Sequence, residues 1–313
     1  MGLFDKIKSA FNGSSQETEL PEDKGQFIKT YNNKGELYQI PRAQWRNRIL
    51  PEQFKKVWND PDGLYAVIVS ALQDNFFPEA IEPGKRLIEI DADISRSYNV
   101  LGITYLKNNL LNEAKEILET GISKAEYKAV MTTNLAKVYS AQGQDEIAMS
   151  SLWQALVLDP NQGNALDWFT AVAFENGGEN NRCEAYMRVA SLTNSWRAKL
   201  YVARQHLKSK EFEQAKIVYK EVIKMAPKEP DVAWIISGDL GGANQVEDIF
   251  ELVYPIFIMS KDSINASLNL IQACIETRRK KEGLKLVNDF KKLERYDYTD
   301  IMNQLEKRLQ ALQ

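Results

Sequence analysis

The stretch Ser95-Arg-Ser-Tyr-Asn-Val-Leu-Gly-Ile-Thr-Tyr105 decides the fold, because a related stretch, Ala129-Val-Met-Thr-Thr-Asn-Leu-Ala-Lys-Val-Tyr139, follows it after 34 residues. The two copies of the pattern occupy residues 95–128 and 129–162. In both copies a leucine, a small residue and a tyrosine lie at the same offsets, and an alanine and a leucine recur in the second half. A fixed period of this length is typical of a helix–turn–helix unit that repeats along a chain.

The small residues of the pattern are those that two packed helices need. Gly102 and Ala136 occupy one small position, and Ala114 and Ala148 occupy the other. Helix axes approach closely only where the contacting side chains are small. Pro160 then ends the second helix of the second copy, because proline cannot continue a helix. With these landmarks the sequence resembles the tetratricopeptide-repeat superfamily. The resemblance implies an all-α fold, an α-α superhelix (TPR solenoid) of five or six helix–turn–helix repeats with a C-terminal capping helix.

Weaker copies of the pattern flank the two clear ones. They begin at Pro61, near Asn164, near Trp196 and near Asn265. Because a single repeat cannot bury its apolar face, such neighbours are expected on both sides of the clear copies.

Residues 230–261 form a degenerate repeat in this interpretation. Its first helix ends at Gly238, where a glycine-rich loop to Gly242 breaks the repeat. Its second helix extends from about Asn244 to Met259, with a kink at Pro255. The predicted organisation has four parts: an amphipathic N-terminal helix and polar linker (1–25), a capping segment (26–60), the repeats (61–228), and degenerate repeats with a C-terminal cap (229–313).

The N-terminal part differs from the repeats. An apolar face over residues 1–11 is followed by a polar linker. Three interpretations stay open for residues 1–11: a frayed terminus, docking on this protein or a partner protein, or reversible docking on a membrane surface, which we do not favour. Residues 31–38 are predicted to form a short hairpin with its turn at residues 33–35, and residues 43–57 to form short helices.

The composition and motifs of the sequence give little support for catalysis or for nucleic-acid binding. A formal net charge of −3 provides no overall attraction for nucleic acid. The single histidine, His206, occupies the slot of the repeat tyrosines, which predicts a packed core residue rather than a catalytic base. Cys183 and Cys274 are interpreted as reduced structural thiols. No phosphate loop and no metal-ligand spacing occurs, so we expect no enzyme, cofactor or metal site.

The resemblance also implies where a partner binds, since the first helix of each repeat in this superfamily lines a concave groove. Amide groups there can grip a peptide backbone, and cationic groups can hold carboxylates. The superfamily's carboxylate clamp is not reproduced, because Asn99 and Ile103 stand in two of its slots. The predicted partner-binding residues are Asn99, Lys107, Asn134, Lys137, Trp168, Arg197, Tyr201 and Arg204.

We therefore expect a non-enzymatic, cytoplasmic scaffold or adaptor that binds an extended peptide or a helix of a partner protein in this groove. Two alternatives stay open: a regulatory sensor of a small ligand or signalling peptide, and a membrane-associated assembly adaptor. The stretches at residues 158–169 and 195–204 resemble bacterial tetratricopeptide-repeat proteins of no established activity. The sequence leaves the partner and the oligomeric state open.

Overall fold

A computed structural model describes residues 26–31 and 37–312. The predicted N-terminal helix and linker (1–25) and the predicted hairpin turn (33–35) lie outside these residues. The chain divides into two compact units, which we call the N-terminal unit (Met1–Asn181) and the C-terminal unit (Arg182–Gln313).

The first described element is a pair of antiparallel strands, which extends beyond the hairpin predicted over residues 31–38. Strand β1 (Phe27–Tyr31) pairs antiparallel with strand β2 (Leu37–Pro41), with Lys29 opposite Gln39. The backbone is then helical from residue 42 to residue 56, including helix α1 (Leu50–Lys56). The buried side chains of Trp45 and Phe54 join the core of the first helix pair.

The rest of the N-terminal unit consists of paired antiparallel helices. Their bounds are α2 (Pro61–Gln73) with α3 (Ile81–Ile90), α4 (Ile94–Lys107) with α5 (Leu111–Lys124), and α6 (Ala129–Ala141) with α7 (Asp145–Leu158). Helix α4 packs against both α2 and α6, so the first helices of the pairs form one layer.

Helix α8 (Gly163–Ala190) extends into the C-terminal unit and is interrupted at Gly177 and Gly178. Gly178 has φ of +70°, which strongly favours glycine. The remaining pairs are α9 (Trp196–Lys208) with α10 (Phe212–Met225), α11 (Pro230–Gly242) with α12 (Val246–Leu252), and α13 (Ile264–Glu276) with α14 (Lys280–Lys291). Helix α15 (Thr299–Gln310) packs on α13 and α14 as the expected capping helix.

The turn inside a pair follows one rule in the six pairs that have two separate helices. The second residue after the first helix has a positive φ, and the next residue donates its backbone N–H to a carbonyl five residues earlier, as Leu110 does to Tyr105 at 2.9 Å. This hydrogen bond satisfies a carbonyl at the end of the helix. The left-handed residues are Asn75, Asn109, Gly143, Lys210, Asn244 and Arg278.

The small positions of the repeat are close contacts, as predicted. A Cβ atom on Gly102 would lie 2.4 Å from Cδ2 of Leu118, on the partner helix of the same pair. Ala114, Ala136 and Ala148 are completely buried. The all-helical repeat fold expected from the sequence is therefore confirmed, and the small residues set the distance between paired helices.

The degenerate repeat differs from its prediction. Residues 238–242 continue helix α11 instead of forming a loop, because the turn begins only at Ala243 and Asn244. The second helix is also shorter than predicted: α12 ends at Leu252, and a single 3-10 turn covers Tyr254–Ile256. Pro255 stops the helix there, since it has no N–H to donate.

Candidate functional site

The N-terminal unit brings four of the predicted partner-binding residues onto two adjacent first helices. Asn134 of α6 donates from Nδ2 to Oδ1 of Asn99 in α4, over 2.7 Å. Asn134 is only 4% exposed, whereas Asn99 is half-buried. The amide of Asn99 thereby keeps a donor group that has no protein partner in the described part of the chain.

Two lysines lie on the same two helices as this amide pair. Lys137 is one helical turn after Asn134 on α6, and Lys107 is the last residue of α4. Both side chains reach water, but protein atoms surround Lys137 closely enough that desolvation, and then repulsion from Lys107, lowers the pKa of its ammonium group. Across residues 26–31 and 37–312, neither lysine has a carboxylate within ion-pair distance. We call Asn99, Lys107, Asn134 and Lys137 the lysine–asparagine cluster.

Half-buried apolar side chains adjoin the cluster. Ile103 and Leu106 lie four and seven residues after Asn99, on the same face of α4. On α2, Tyr65 lies beneath the guanidinium of Arg96, 5.0 Å from the ring centroid. The face formed by α2, α4 and α6 therefore combines apolar surface with amide and ammonium donors.

Arg96, near the start of α4, already forms ion pairs with carboxylates of the chain. Its guanidinium donates to Asp91 at 2.8 Å and to Asp62 at 2.7 Å. These hydrogen bonds raise its pKa and leave it less available than the lysines for a partner.

In the C-terminal unit, the arginines predicted to hold a partner's carboxylates hold carboxylates of the chain itself. Arg197 donates to Oδ2 of Asp231, and Arg204 donates to Oδ1 of Asp239, both at 2.8 Å. Each acid lies on α11, about one repeat after its arginine on α9. A role for Arg197 and Arg204 in gripping a partner's carboxylate would require these ion pairs to open.

Sequence reasoning missed Asp231, Asp239 and Tyr219 as members of this network. Tyr219 is completely buried and donates its hydroxyl to Oδ2 of Asp239 at 3.1 Å. Desolvation and the negative charge of Asp239 raise the pKa of the tyrosine. The spacing of 34 and 35 residues between each arginine and its acid was a signal that could have identified the pairs.

The two predicted aromatic contacts have different environments. Tyr201 stacks on Tyr186 with ring centroids 3.6 Å apart, and its hydroxyl lies 3.4 Å from Sγ of Cys183. Trp168 is only 7% exposed. Both aromatic groups are engaged within the chain, so Trp168 in particular offers little surface to a partner.

The histidine is not the core residue that its slot predicted. His206 is partly exposed, and its Nδ1 lies 2.6 Å from Oε2 of Glu211, just after the turn. Cys274 is completely buried, and desolvation raises the pKa of its thiol to about 12. The residues that the structure describes contain no group of three potential metal ligands among His, Cys, Asp and Glu.

One family model matches the chain. Residues 95–123, which lie within α4 and α5, match the model of the tetratricopeptide repeat. The resemblance inferred from the sequence is confirmed for this pair. A search of curated proteins gives no significant match.

Solved structures of tetratricopeptide-repeat proteins resemble the chain at low identity. A protein from Parabacteroides merdae is 15% identical, with 80% of this chain and 98% of that chain covered and a TM-score of 0.37. YrrB, described as having an unusual peptide-binding site, is 16% identical, with 57% and 93% covered and a TM-score of 0.33. The TPR2AB domain of yeast Sti1, in a complex with pHSP90, is 16% identical, with 80% of this chain and 98% of that chain covered and a TM-score of 0.34.

Within residues 26–31 and 37–312, no helix is both long enough and apolar enough to cross a bilayer.

Proposed function

We propose that this chain, which carries a tetratricopeptide repeat at residues 95–123, binds an extended acidic peptide segment of a partner protein at the lysine–asparagine cluster. The repeat supports protein–protein interaction as the general role. The cluster supports the finer part of the proposal, the acidic peptide, through its chemistry.

The observation that carries the proposal is the placement of two cations, Lys107 and Lys137, on the adjacent helices α4 and α6. Both are exposed, and neither has a carboxylate within ion-pair distance among residues 26–31 and 37–312. In the same unit, Arg96 already has two carboxylates. A pair of like charges without a counter-ion attracts an anion from outside, and a peptide carboxylate is such an anion.

The neighbouring groups fit the rest of an extended peptide. Asn99 has an amide donor free to bind a backbone carbonyl of the peptide. Ile103 and Leu106 offer half-buried apolar surface on the same helix face. A free small anion could bind only to the lysines. An acidic peptide with an apolar residue could also use the amide donor and the apolar surface.

Selection from a random peptide library tests the proposal. We expect the natural chain to enrich sequences with at least two acidic residues next to an aliphatic one. The variant Lys107→Ala/Lys137→Ala should bind the enriched peptides at least about tenfold more weakly, or roughly 1.4 kcal/mol.

The matched control is Lys85→Ala/Lys115→Ala, which removes the same charge from second helices α3 and α5. These lysines form ion pairs with Glu82 and Glu119. Equal peptide affinity of the cluster variant and this control, or enrichment of basic or neutral sequences, would contradict the proposal.

A further inference from the structure

One edge of strand β1 has no neighbouring strand in the described part of the chain. Within residues 26–31 and 37–312, β1 pairs with β2 alone. The free edge of a strand presents unpaired N–H and C=O groups, and another extended chain can bind them by adding a strand. What β1 can bind therefore depends on which of its residues face this edge.

A backbone hydrogen bond identifies the residues of β1 that face outward. The N–H of Arg42 donates to the carbonyl of Gln26 over 2.7 Å, so these two residues form a hydrogen-bonded pair. Hydrogen-bonded and non-hydrogen-bonded pairs alternate along an antiparallel ladder. The next pair, Phe27 with Pro41, is therefore non-hydrogen-bonded, which agrees with the lack of an N–H group in proline. By the same alternation, the backbone groups of Phe27 and of every second residue after it face away from β2.

The outward backbone groups of β1 are available to a further strand. In the part of the chain that the structure describes, the N–H and C=O groups of Phe27 and Lys29 have no hydrogen-bond partner. The outer edge of β2 is less suitable, because Pro41 occupies one of its outward positions and offers no donor there. An added strand can thus form its full set of hydrogen bonds along β1 but not along β2.

The side chains beside this edge combine an aromatic ring with an ammonium group. Phe27 and Lys29 lie on the same face of the two-stranded sheet, since side chains alternate along a strand. The other face carries Ile28 and Ile40, which pack in the core. Phe27 is 46% exposed. Lys29 is exposed too and has no carboxylate within ion-pair distance among residues 26–31 and 37–312.

Charge indicates the occupant of the edge. A second copy of β1, paired antiparallel about the central residue of the strand, would place Lys29 opposite Lys29, and like charges directly opposite each other destabilise a sheet. An acidic residue at that position would stabilise it instead. The surrounding segment is also basic: residues 26–31 and 37–60 include six basic and two acidic residues, although the whole chain has a net charge of −3. Such a surface attracts an acidic partner.

We propose that β1 is a docking edge for an extended segment of a partner protein, which adds an antiparallel strand with an acidic residue opposite Lys29 and an apolar residue opposite Phe27. Because the two strands run in opposite directions, the apolar residue lies two positions after the acidic one. This inference goes beyond the proposed function, since it uses a different element of the N-terminal unit and does not depend on the lysine–asparagine cluster.

The test measures binding of a fluorescent peptide to the full chain by anisotropy. The peptide is Ser-Thr-Ser-Glu-Thr-Val-Ser with both ends capped, and the absence of binding would overturn the proposal. The same titration with Lys107→Ala/Lys137→Ala should give the same affinity. Loss of binding in that variant would assign the peptide to the lysine–asparagine cluster and overturn docking on β1, whereas failure of the cluster as an acidic-peptide site would leave this binding unchanged.

Changes in the peptide backbone test strand addition without altering the protein. In the antiparallel arrangement, the N–H of the glutamate faces β1 and the N–H of the following threonine faces away. N-methylation of the glutamate should therefore weaken binding at least about tenfold, and N-methylation of the threonine should change it by less than about twofold. An equal or opposite response of the two peptides would overturn the proposal.

A charge exchange tests the contact with Lys29. Lys29→Glu should weaken binding of the peptide at least about fivefold, and a peptide with lysine in place of glutamate should bind this variant at least about fivefold more tightly than it binds the natural chain. Lys55→Glu makes the same charge change at an exposed residue of α1 and is the matched control. Equal effects of the two substitutions would show general electrostatic attraction and overturn the pairing.

The order of the side chains tests the direction of the added strand. The peptide Ser-Val-Thr-Glu-Ser-Thr-Ser, in which the apolar residue precedes the acidic one, should bind more weakly than the first peptide. Equal affinities would overturn the antiparallel arrangement.

Analytical ultracentrifugation tests a second copy as the occupant. Phe27→Lys should leave the sedimentation coefficient of the natural chain unchanged. A dimer of the natural chain that this substitution dissociates would assign the edge to a second copy and overturn the proposal.

Discussion

Arg204 donates to Oδ1 of Asp239 over 2.8 Å, so the acid that neutralises this arginine comes from the next helix pair. The carboxylate is 13% exposed and also accepts a hydrogen bond from the buried hydroxyl of Tyr219. Three helices of the C-terminal unit, α9, α10 and α11, therefore meet in this polar contact.

This contact should contribute measurably to stability. In a double-mutant cycle, Arg204→Met and Asp239→Asn should show a coupling energy of about 0.5–1 kcal/mol. The value is modest because the arginine side chain is 43% exposed and water screens the pair. Urea unfolding measures it, and Lys208→Met, which removes an exposed cation from the same helix, is the control. The ion pair does not stabilise the unit if the coupling energy between Arg204→Met and Asp239→Asn is no larger than that between Lys208→Met and Asp239→Asn.

The contact of Gly102 with Leu118 leaves no space for a methyl group. We expect Gly102→Ala to lower the free energy of unfolding by about 1–3 kcal/mol through overpacking, although alanine has the better helix propensity. Gly163→Ala is the matched control, since a Cβ atom there meets nothing within 4 Å. Its effect should stay within about 0.5 kcal/mol. Equal unfolding midpoints for the two variants in thermal or urea denaturation would refute the close contact.

The left-handed residues of the turns predict a stabilising substitution. Lys210 has φ of +62°, a conformation that costs an L-residue with a Cβ roughly 1–2 kcal/mol. Lys210→Gly removes that cost, and the entropy of glycine in the unfolded chain offsets part of the gain. We expect a net rise of about 0.5–1 kcal/mol in the free energy of unfolding. Lys208→Gly, two residues earlier in the helix, should instead lower it, and a loss of stability in both variants would contradict the turn geometry.

The pH dependence of stability should reveal the environment of Lys137. Its pKa is lowered in the folded chain by desolvation and by Lys107. The unfolded chain therefore binds this proton more tightly than the folded chain, so the charged lysine destabilises the fold at neutral pH. This penalty disappears as the pH rises towards the pKa of lysine in the unfolded chain, about 10.5.

Compared with Lys137→Met, the natural chain should thus gain stability as pH rises from 7 to 10.5. Urea unfolding across this range measures the difference, and Lys115→Met controls for the loss of a cation. A difference between the natural chain and Lys137→Met that stays constant with pH would contradict the lowered pKa.

Much of the fold could be predicted because its signals are local and periodic. The spacing of Gly102, Ala114, Ala136 and Ala148 identified the contact positions of two helix pairs. The degenerate repeat was harder, since glycines at residues 238–242 are typical of a loop in sequence but lie within α11. Packing of this helix against α9 and α13 outweighs the low helix propensity of glycine.

The candidate site was predicted less completely. The slots of the repeat identified Asn99, Lys107, Asn134 and Lys137, which the structure brings together on α4 and α6. The same slots also predicted Arg197 and Arg204 as partner-binding residues, although both form ion pairs with acids of the chain. His206 was assigned to the core by analogy with two tyrosines, but its imidazole instead reaches Glu211 in the following turn.

The amino-acid sequence by itself determined the helices, their period and the small residues that let paired helices approach, because these depend on contacts between neighbouring segments. Only the tertiary structure decided which cations are neutralised within the chain. An ion pair such as Arg204 with Asp239 requires two side chains 35 residues apart to meet within about 3 Å. That distance depends on how successive pairs pack, which gives Arg204 an internal carboxylate but gives Lys137 none among residues 26–31 and 37–312.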